Sequence, residues 1–313
     1  MEDQDSTFLM IHGKFAVTVN IGVLASDSSW HFQDLKRACG AFRGEIELHS
    51  IDFASLAASV ENEHDEQFFD QAGSVNSLDA LVVRTMPRGS LQQIVFRMDA
   101  LHRLADSGVR IVNSPRSVEI AIDKYLSLSL MAKAGLPVPK FVVCQTVQQG
   151  MRAFEMLGGD VVLKPIFGSM GKNVHRLQEA TDAEALMREF VDQGEVLYLQ
   201  EFIDHGGSDI RILVVGSKVF SMRRSSKDGG WLTNVARGGD AAPHTATLCE
   251  VQLARAAAAV NCCEIAGVDL VYPSGSNAPL VLEVNASPGW EAIQTVTNSD
   301  IAAEVLRLVS QAR

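Results

Sequence analysis

From residue 15 to residue 113 the apolar positions switch between two spacings. Short runs in which most positions are apolar alternate with stretches in which apolar residues recur every three or four positions. The first spacing marks strands, buried on both faces where the run is unbroken; the second marks amphipathic helices. Phe15–Leu24, Glu45–Ile51, Leu78–Val83 and Val109–Val112 are expected as strands. Trp30–Ala41, Phe53–Val60 and Leu91–Leu104 are expected as helices, and residues 61–77, acidic and polar, as an exposed connection. Such alternation predicts a parallel sheet covered by helices on both faces, with ligands at the carboxyl ends of its strands. Arg84 and Arg88 follow one of those strands and are placed to hold a substrate carboxylate, although a purely solubilising role explains them equally. No GxGxxG follows the first strand, so dinucleotide binding lacks its main support.

Asn113-Ser114-Pro115 marks a boundary. Beyond it, helices are expected over Ser117–Ala134, Val147–Leu157, Asp182–Val191, Cys249–Val260 and Ile301–Gln311. Strands are expected over Phe141–Cys144, Val161–Lys164, Val196–Gln200, Ser208–Val215 and Lys218–Met222. The chain divides into residues 1–113, 114–195 and 196–313: an α/β class overall, α+β in its C-terminal part. Between Lys164 and a strand starting at Asn173 lies Pro165-Ile166-Phe167-Gly168-Ser169-Met170-Gly171-Lys172. Its glycines let backbone N–H groups approach phosphate oxygens. It is no Walker loop, since GK[ST] is missing and a strand follows; a plain hairpin turn accounts for the same residues.

Two further stretches carry chemistry. Gly267–Tyr272 and Leu280–Asn285 are apolar runs joined by turn residues, and folding them as a hairpin sets Asp269 opposite Glu283. Facing residues in such a pair have Cβ atoms roughly 5 Å apart. Asn285 shares the face of Glu283. Two acids so close repel unless one holds a proton or cations lie between them; two carboxylates with an amide oxygen suit Mg²⁺ or Mn²⁺ shared with phosphates, and an ordinary hairpin with its acids on a wet face is the alternative. Arg223–Gly239 is expected as a basic, mobile, glycine-rich loop suited to clamping phosphate or carboxylate, with a plain solvated loop as the alternative.

Composition narrows the classes. The 313 residues are 47% hydrophobic and 21% charged, with a net charge of −11. That supports ample core and argues against a general nucleic-acid surface, so an anionic ligand needs local basic clusters. The 5 cysteines show no metal spacing and are expected as reduced thiols of a cytoplasmic protein. The acidic, polar start is not expected to be a signal peptide. No apolar run approaches the ~18 residues of a membrane span.

Lys124, Lys164, the Gly168–Gly171 loop, Gln200-Glu201-Phe202-Ile203, Asp209-Ile210-Arg211, Arg223-Arg224, Asn234, Arg237-Gly238-Gly239, Asp269 and Glu283-Val284-Asn285-Ala286-Ser287-Pro288-Gly289 occur in one order. That order resembles the ATP-grasp superfamily, and within it the RimK-like α-L-glutamate ligases, over roughly residues 78–313. The resemblance implies an ATP-grasp fold with an N-terminal Rossmann-like domain. It implies that Lys124 and Lys164 bind ATP phosphates under a lid containing Gly168, Ser169 and Gly171. Glu201, Phe202 and Ile203 would form the adenine hinge, Asp209 would lie on the ribose side, and Leu232, Thr233 and Asn234 would line the same pocket. Asp269, Glu283 and Asn285 would hold two Mg²⁺ or Mn²⁺ ions. Arg211, Arg224 and Arg237 would stabilise transferred phosphate and substrate carboxylates. Val235-Ala236 stands where ribosomal-protein-modifying members carry Leu-His, which points to a different acceptor. Arg84-Thr85-Met86-Pro87 resembles the branch acting on tetrahydromethanopterin-type pterins.

The reaction so implied is ATP-dependent transfer of L-glutamate onto an acceptor carboxylate through an acyl phosphate, in a dimer or tetramer. An ATP-grasp kinase acting on a small alcohol, a ligase acting on a protein C-terminus, and a non-catalytic nucleotide module are the alternatives. Replacing Asp269 or Glu283 by Ala is expected to abolish turnover with little loss of fold, and Lys164→Ala to raise the ATP requirement.

Overall fold

The computed structural model describes residues 18–61, 66–168, 173–227, 229–233 and 239–311. Strand and helix alternate first: β1 (Val19–Leu24), α1 (Trp30–Cys39), β2 (Ile46–Ile51), β3 (Ala57–Val60), β4 (Glu66–Asp70), β5 (Gly73–Ser74), β6 (Ala80–Val83), α2 (Leu91–Asp106) and β7 (Arg110–Val112). A parallel sheet forms in the order β2-β1-β6-β7. Its period-2 alternation sends Ile21, Val23, Ala80 and Val82 to one face and Leu24, Leu81 and Val83 to the other. Phe32 and Leu35 of α1 cover the first face, and Leu101 and Leu104 of α2 the second.

The helix expected over Phe53–Val60 is instead a turn followed by strand β3, and the expected exposed connection contains β4 and β5, which complete a small antiparallel sheet with β3. Tertiary packing overrides local pattern here. Phe68 and Val75 are buried with Phe53 and Leu56 against the sheet, which the polarity around them concealed.

The central part runs α3 (Pro115–Ile122), α4 (Lys124–Lys133), β8 (Phe141–Cys144), α5 (Val147–Met156), β9 (Val161–Lys164), β10 (His175–Leu177), α6 (Ala180–Asp192) and β11 (Leu197–Glu201). Its antiparallel sheet has the order β10-β9-β11-β8. Leu197–Glu201, assigned from sequence to the last unit, therefore belongs to this sheet, held by hydrogen bonds to β8 and β9. The single helix expected over Ser117–Ala134 is two. Asp123 adopts an extended backbone and its carboxylate accepts the Leu126 N–H at 3.0 Å. That N-cap starts a new helix at Lys124.

The last part runs β12 (Ser208–Val215), β13 (Lys218–Ser225), β14 (Asp240–Pro243), α7 (Leu248–Val260), β15 (Ile265–Val271), β16 (Leu280–Asn285), α8 (Glu291–Thr297) and α9 (Ile301–Ser310). Its sheet is antiparallel, in the order β14-β13-β12-β15-β16. Arg223 and Arg224, expected in a mobile loop, lie on β13, and Arg224 is buried. Helix α9 returns to the first sheet, where Ile301, Val305 and Leu306 join the α1 side of its core.

Asn113 joins these parts. It is 1% exposed. Its Nδ2 donates to the Ile265 and Ala286 carbonyls, both at 2.6 Å, and its Oδ1 accepts from the N–H groups of Glu264 and Ile265 at 2.8 and 2.9 Å. Each buried group left unpaired costs about 1–3 kcal/mol. Asn113→Leu is therefore expected to lower unfolding free energy by about 3 kcal/mol or more in urea titration. A loss below about 1 kcal/mol would contradict this account of the junction.

Candidate active site

A cleft of about 890 Å³, counting its open mouth, lies between the central and C-terminal sheets. Alternation along two strands builds one wall. Val161 and Leu163 of β9 and Leu199 of β11 face the α5/α6 core, so Val162, Lys164 and Gln200 face the cleft. The opposite wall comes from β12, β13, β15 and β16 through Asp209, Arg224, Asp269 and Glu283.

Lys164 is buried, and its Nζ donates to Gln200 Oε1 at 2.6 Å. Burial pulls its pKa from 10.5 down to about 8; Glu283 opposes the shift and Lys124 adds to it. Lys164 is thus charged at pH 7 and neutral well above pH 8. The Gln200 Nε2 donor is buried without a partner among the described residues. A buried cation and an orphaned donor on one wall fit a ligand rich in acceptors, such as a nucleotide. Nucleotide affinity that depends on the Lys164 cation is expected to fall about tenfold between pH 7 and pH 9. Lys164→Arg, which does not titrate in that range, is expected to flatten the dependence when binding is followed by calorimetry. A wild-type affinity constant across the interval would contradict a phosphate role for Lys164.

Lys124 opens α4, reaches the Gly168 carbonyl at 2.7 Å, and lies 4.0 Å from Glu283. Gly168, at φ +151°, holds a conformation that side-chain-bearing residues rarely adopt. In the segment 201–203, Glu201 gives its N–H to the Lys140 carbonyl and Phe202 gives its own to the Asp160 carbonyl. Ile203 N–H has no hydrogen bond among the described residues. Phe202 packs against the Arg176 guanidinium and edge-on against Trp231. Leu232 and Thr233 line the cleft. Ser169, Gly171, Asn234 and Arg237 lie outside the described residues.

The hairpin register sets Asp269 opposite Glu283, with a bulge just after Asp269. The two acids have different surroundings. Asp269 is 4% exposed and is gripped by Arg211 through Nε and Nη2, and by Arg224 at 3.0 Å. Burial pushes its pKa up, but the two guanidinium groups outweigh this and hold the carboxyl below its ordinary range. Glu283 is half-buried, and its one ion pair among the described residues is the long contact with Lys124. Asn285 Oδ1 accepts the Ser287 N–H at 3.0 Å, shaping the turn after β16.

The arginines are pinned by register. Arg211 pairs across to Asp269, and Arg224 pairs across to Asp209. Both Asp209 oxygens accept from Arg224, at 2.8 and 2.6 Å, and Oδ2 also accepts from Thr233 Oγ1 at 2.6 Å. Burial lowers the Arg224 pKa, but Asp269 and Asp209 more than reverse this, so it remains a cation. The result is a buried chain of alternating charge, Asp209–Arg224–Asp269–Arg211, with Glu283 facing the cleft. Asp269 between two arginines changes one expectation: among the described residues, removing it would leave the largely buried Arg211 without an acid and Arg224 with Asp209 alone, so substitution cannot leave the fold untouched.

The donor set itself fits a hard divalent cation. Asp269, Glu283 and Asn285 offer only oxygen, and an ionised carboxylate has lone pairs beyond those that Arg211 and Arg224 take. Among the described residues no group of three or more His, Cys, Asp and Glu residues forms a metal cluster; the third oxygen donor of this set is an amide. Gln200 and Trp231 were not singled out from sequence as site residues. Gln200 had a usable signal, a polar residue at a cleft-facing strand position. Trp231 had none beyond its place in the basic segment.

Comparison with known proteins fixes the family. The RimK-like ATP-grasp domain model matches residues 121–309. The chain is 32% identical over 252 residues to the tetrahydromethanopterin:alpha-L-glutamate ligase of Methanosarcina acetivorans, covering 71% of this chain and 78% of that one. It is 30% identical over 296 residues to Probable alpha-L-glutamate ligase 1 of Hahella chejuensis, covering 94% and 95%. Among solved structures, the ATP-grasp ligase PsnB complexed with minimal precursor matches with a TM-score of 0.73 at 22% identity, covering 95% of this chain and 100% of that one. PsnB is also known with minimal precursor, Mg and ADP, matching with a TM-score of 0.68 at 21% identity over 93% and 98%. By that family model and these relatives, this chain belongs to the RimK-like ATP-grasp ligases.

Proposed function

We propose that the protein joins L-glutamate to an acceptor carboxylate at the expense of ATP. The observation that carries this reading is the pairing in one cleft of a buried lysine, Lys164, with an acid hairpin whose Glu283 faces the same space. Lys124 and Lys164 hold the phosphates, with Gly168 beside them in the segment whose Ser169 and Gly171 the resemblance makes a lid. Ile203, with Glu201 and Phe202, meets the adenine. Leu232 and Thr233 line the same pocket, a role the resemblance also gives Asn234, and Asp209 contributes on the ribose side mainly by fixing Arg224. Asp269, Glu283 and Asn285 hold two Mg²⁺ or Mn²⁺ ions, whose charge offsets that of the phosphate oxygens.

Chemistry proceeds in two displacements. An oxygen of the acceptor carboxylate attacks the terminal phosphorus, and the bond from that phosphorus to ADP breaks. Arg211, Arg224 and Arg237 supply positive charge around the transferring group, the first two already oriented by their acids. The glutamate amine then attacks the acyl carbon, the carbon–oxygen bond to phosphate breaks, the nitrogen loses a proton, and an amide remains. Exclusion of water by the closed cleft protects the acyl phosphate.

The likeness at Arg84-Thr85-Met86-Pro87 favours a pterin-type acceptor over a protein C-terminus. We further propose a homo-oligomer working in the cytoplasm, in keeping with free thiols at all five cysteines; among the described residues no helix is long and apolar enough to cross a membrane.

The test is ADP release with ATP, Mg²⁺ and L-glutamate across pterin, deazaflavin and peptide carboxylates, with product masses read alongside. Glutamate-dependent ADP and a product heavier by one glutamyl unit are expected. ADP formed without an amine, with a phosphorylated product, would instead establish a kinase.

A further inference from the structure

Arg84 stands apart from the other buried cations. It is 8% exposed, yet among the described residues it makes no hydrogen bond or ion pair, and its Nε is buried without a partner. Arg224 in the same protein is gripped by two acids, and Arg97 donates to the Pro87 carbonyl at 2.7 Å. A buried guanidinium left unpaired is costly, so its surroundings are informative.

The Arg84 guanidinium lies over the Trp290 ring, its carbon 4.5 Å from the ring centroid. Trp290 is fully buried and packs edge-on against His31 at 4.6 Å. Asp34, the acid of this neighbourhood, is already engaged: it accepts from Trp290 Nε1 at 2.9 Å and pairs with Arg37 at 2.8 Å. His31 is held neutral, its pKa brought down to about 4 by burial and by Arg84, against the pull of Asp34. Its Nε2 accepts the Trp290 N–H at 3.3 Å. The ring proton is therefore on Nδ1, a donor with no partner among the described residues. Burial likewise lowers the Arg84 pKa to about 10, which still leaves a cation at neutral pH.

Position connects this cluster to the reaction. Arg84 follows β6 at the carboxyl end of the parallel sheet, where ligands of such sheets bind. Ser287 Oγ donates to the Val83 carbonyl at 2.9 Å, fastening the turn after β16 to that strand end. Glu283 and Asn285 are on β16, and Trp290 follows the same turn. Stacking on an aromatic face fixes the plane of the guanidinium and leaves its fork free for a planar anion.

We propose that Arg84, laid on Trp290 and flanked by His31, binds a substrate carboxylate. The proposal rests on the ligase reading above and names a subsite for it. Two carboxylates meet the description: that of L-glutamate and that of the acceptor. Arg88, the other arginine of this segment, is exposed and belongs to the surface.

The test is isothermal titration of protein saturated with Mg²⁺ and a non-hydrolysable ATP analogue, for wild type, R84Q and R84K. L-Glutamate is titrated first. Glutarate, a carboxylate without an amine, is then titrated into the glutamate-saturated protein. Loss of at least tenfold in L-glutamate affinity in R84Q, with R84K intermediate, assigns the site to glutamate. An unchanged glutamate affinity with a tenfold loss for glutarate assigns it to the acceptor. Analogue affinity within twofold of wild type shows that the variants are folded. Equal affinities for both carboxylates in R84Q and wild type overturn the proposal, as does failure of wild type to bind either. Amine-independent ADP release would sink the ligase reading while leaving this binding measurement intact.

Discussion

Glu283→Gln is expected to reduce glutamate-dependent ADP release by about a thousandfold while barely changing stability. The size follows from losing a carboxylate proposed to hold the cations at the reacting phosphates, where removing a single electrostatic contributor costs roughly 10²–10³ in rate. The small stability effect follows from exposure. Glu283 is half-buried, and its one ion pair among the described residues is the 4.0 Å contact with Lys124, the kind of pair that contributes about 0–1 kcal/mol. Gln keeps the shape and removes the charge. A variant retaining a tenth or more of wild-type turnover would place the essential acid elsewhere.

Asp269→Asn is expected to fail twice, and that separates it from Glu283. Its carboxylate lies between Arg211 and Arg224, at 4% exposure. Breaking a buried pair by removing one partner costs about 3–5 kcal/mol, because the remaining charge stays buried. Turnover should fall as steeply as in Glu283→Gln, and the urea midpoint should fall with it. Adding Arg211→Met to Asp269→Asn is expected to recover part of the stability and none of the activity, since it removes a stranded cation without restoring the acid. If Asp269→Asn unfolds at the wild-type midpoint, the alternating charge chain is not holding the cleft wall together.

Much of this site was legible before any coordinates. The Asp269–Glu283 juxtaposition follows from two apolar runs and a turn between them, because period-2 strands and a short connection fix the register. All four strands of the parallel sheet were legible as short runs of mostly apolar or alternating residues. What sequence concealed was decided at long range. Asp123 interrupts an apolar stretch that reads as one helix; only its capping of Leu126 reveals the break that starts α4 at Lys124. The Arg211–Asp269 and Arg224–Asp209 contacts depend on which strands are neighbours, and β12 stands between β13 and β15 only in the folded sheet. Sequence therefore showed arginines suited to phosphate without the acids that already hold them. Arg84 was visible as a strand-end arginine, but its burial against Trp290 joins residues more than two hundred positions apart.

The central claim is that a carboxylate is activated by phosphorylation and then captured by an amine. It is tested most directly by following oxygen. An acceptor carrying ¹⁸O in its carboxylate is turned over with ATP, Mg²⁺ and L-glutamate, and the released phosphate is examined by mass. The account predicts one labelled oxygen in phosphate for each amide formed. Phosphate free of label, with amide still produced, would contradict it.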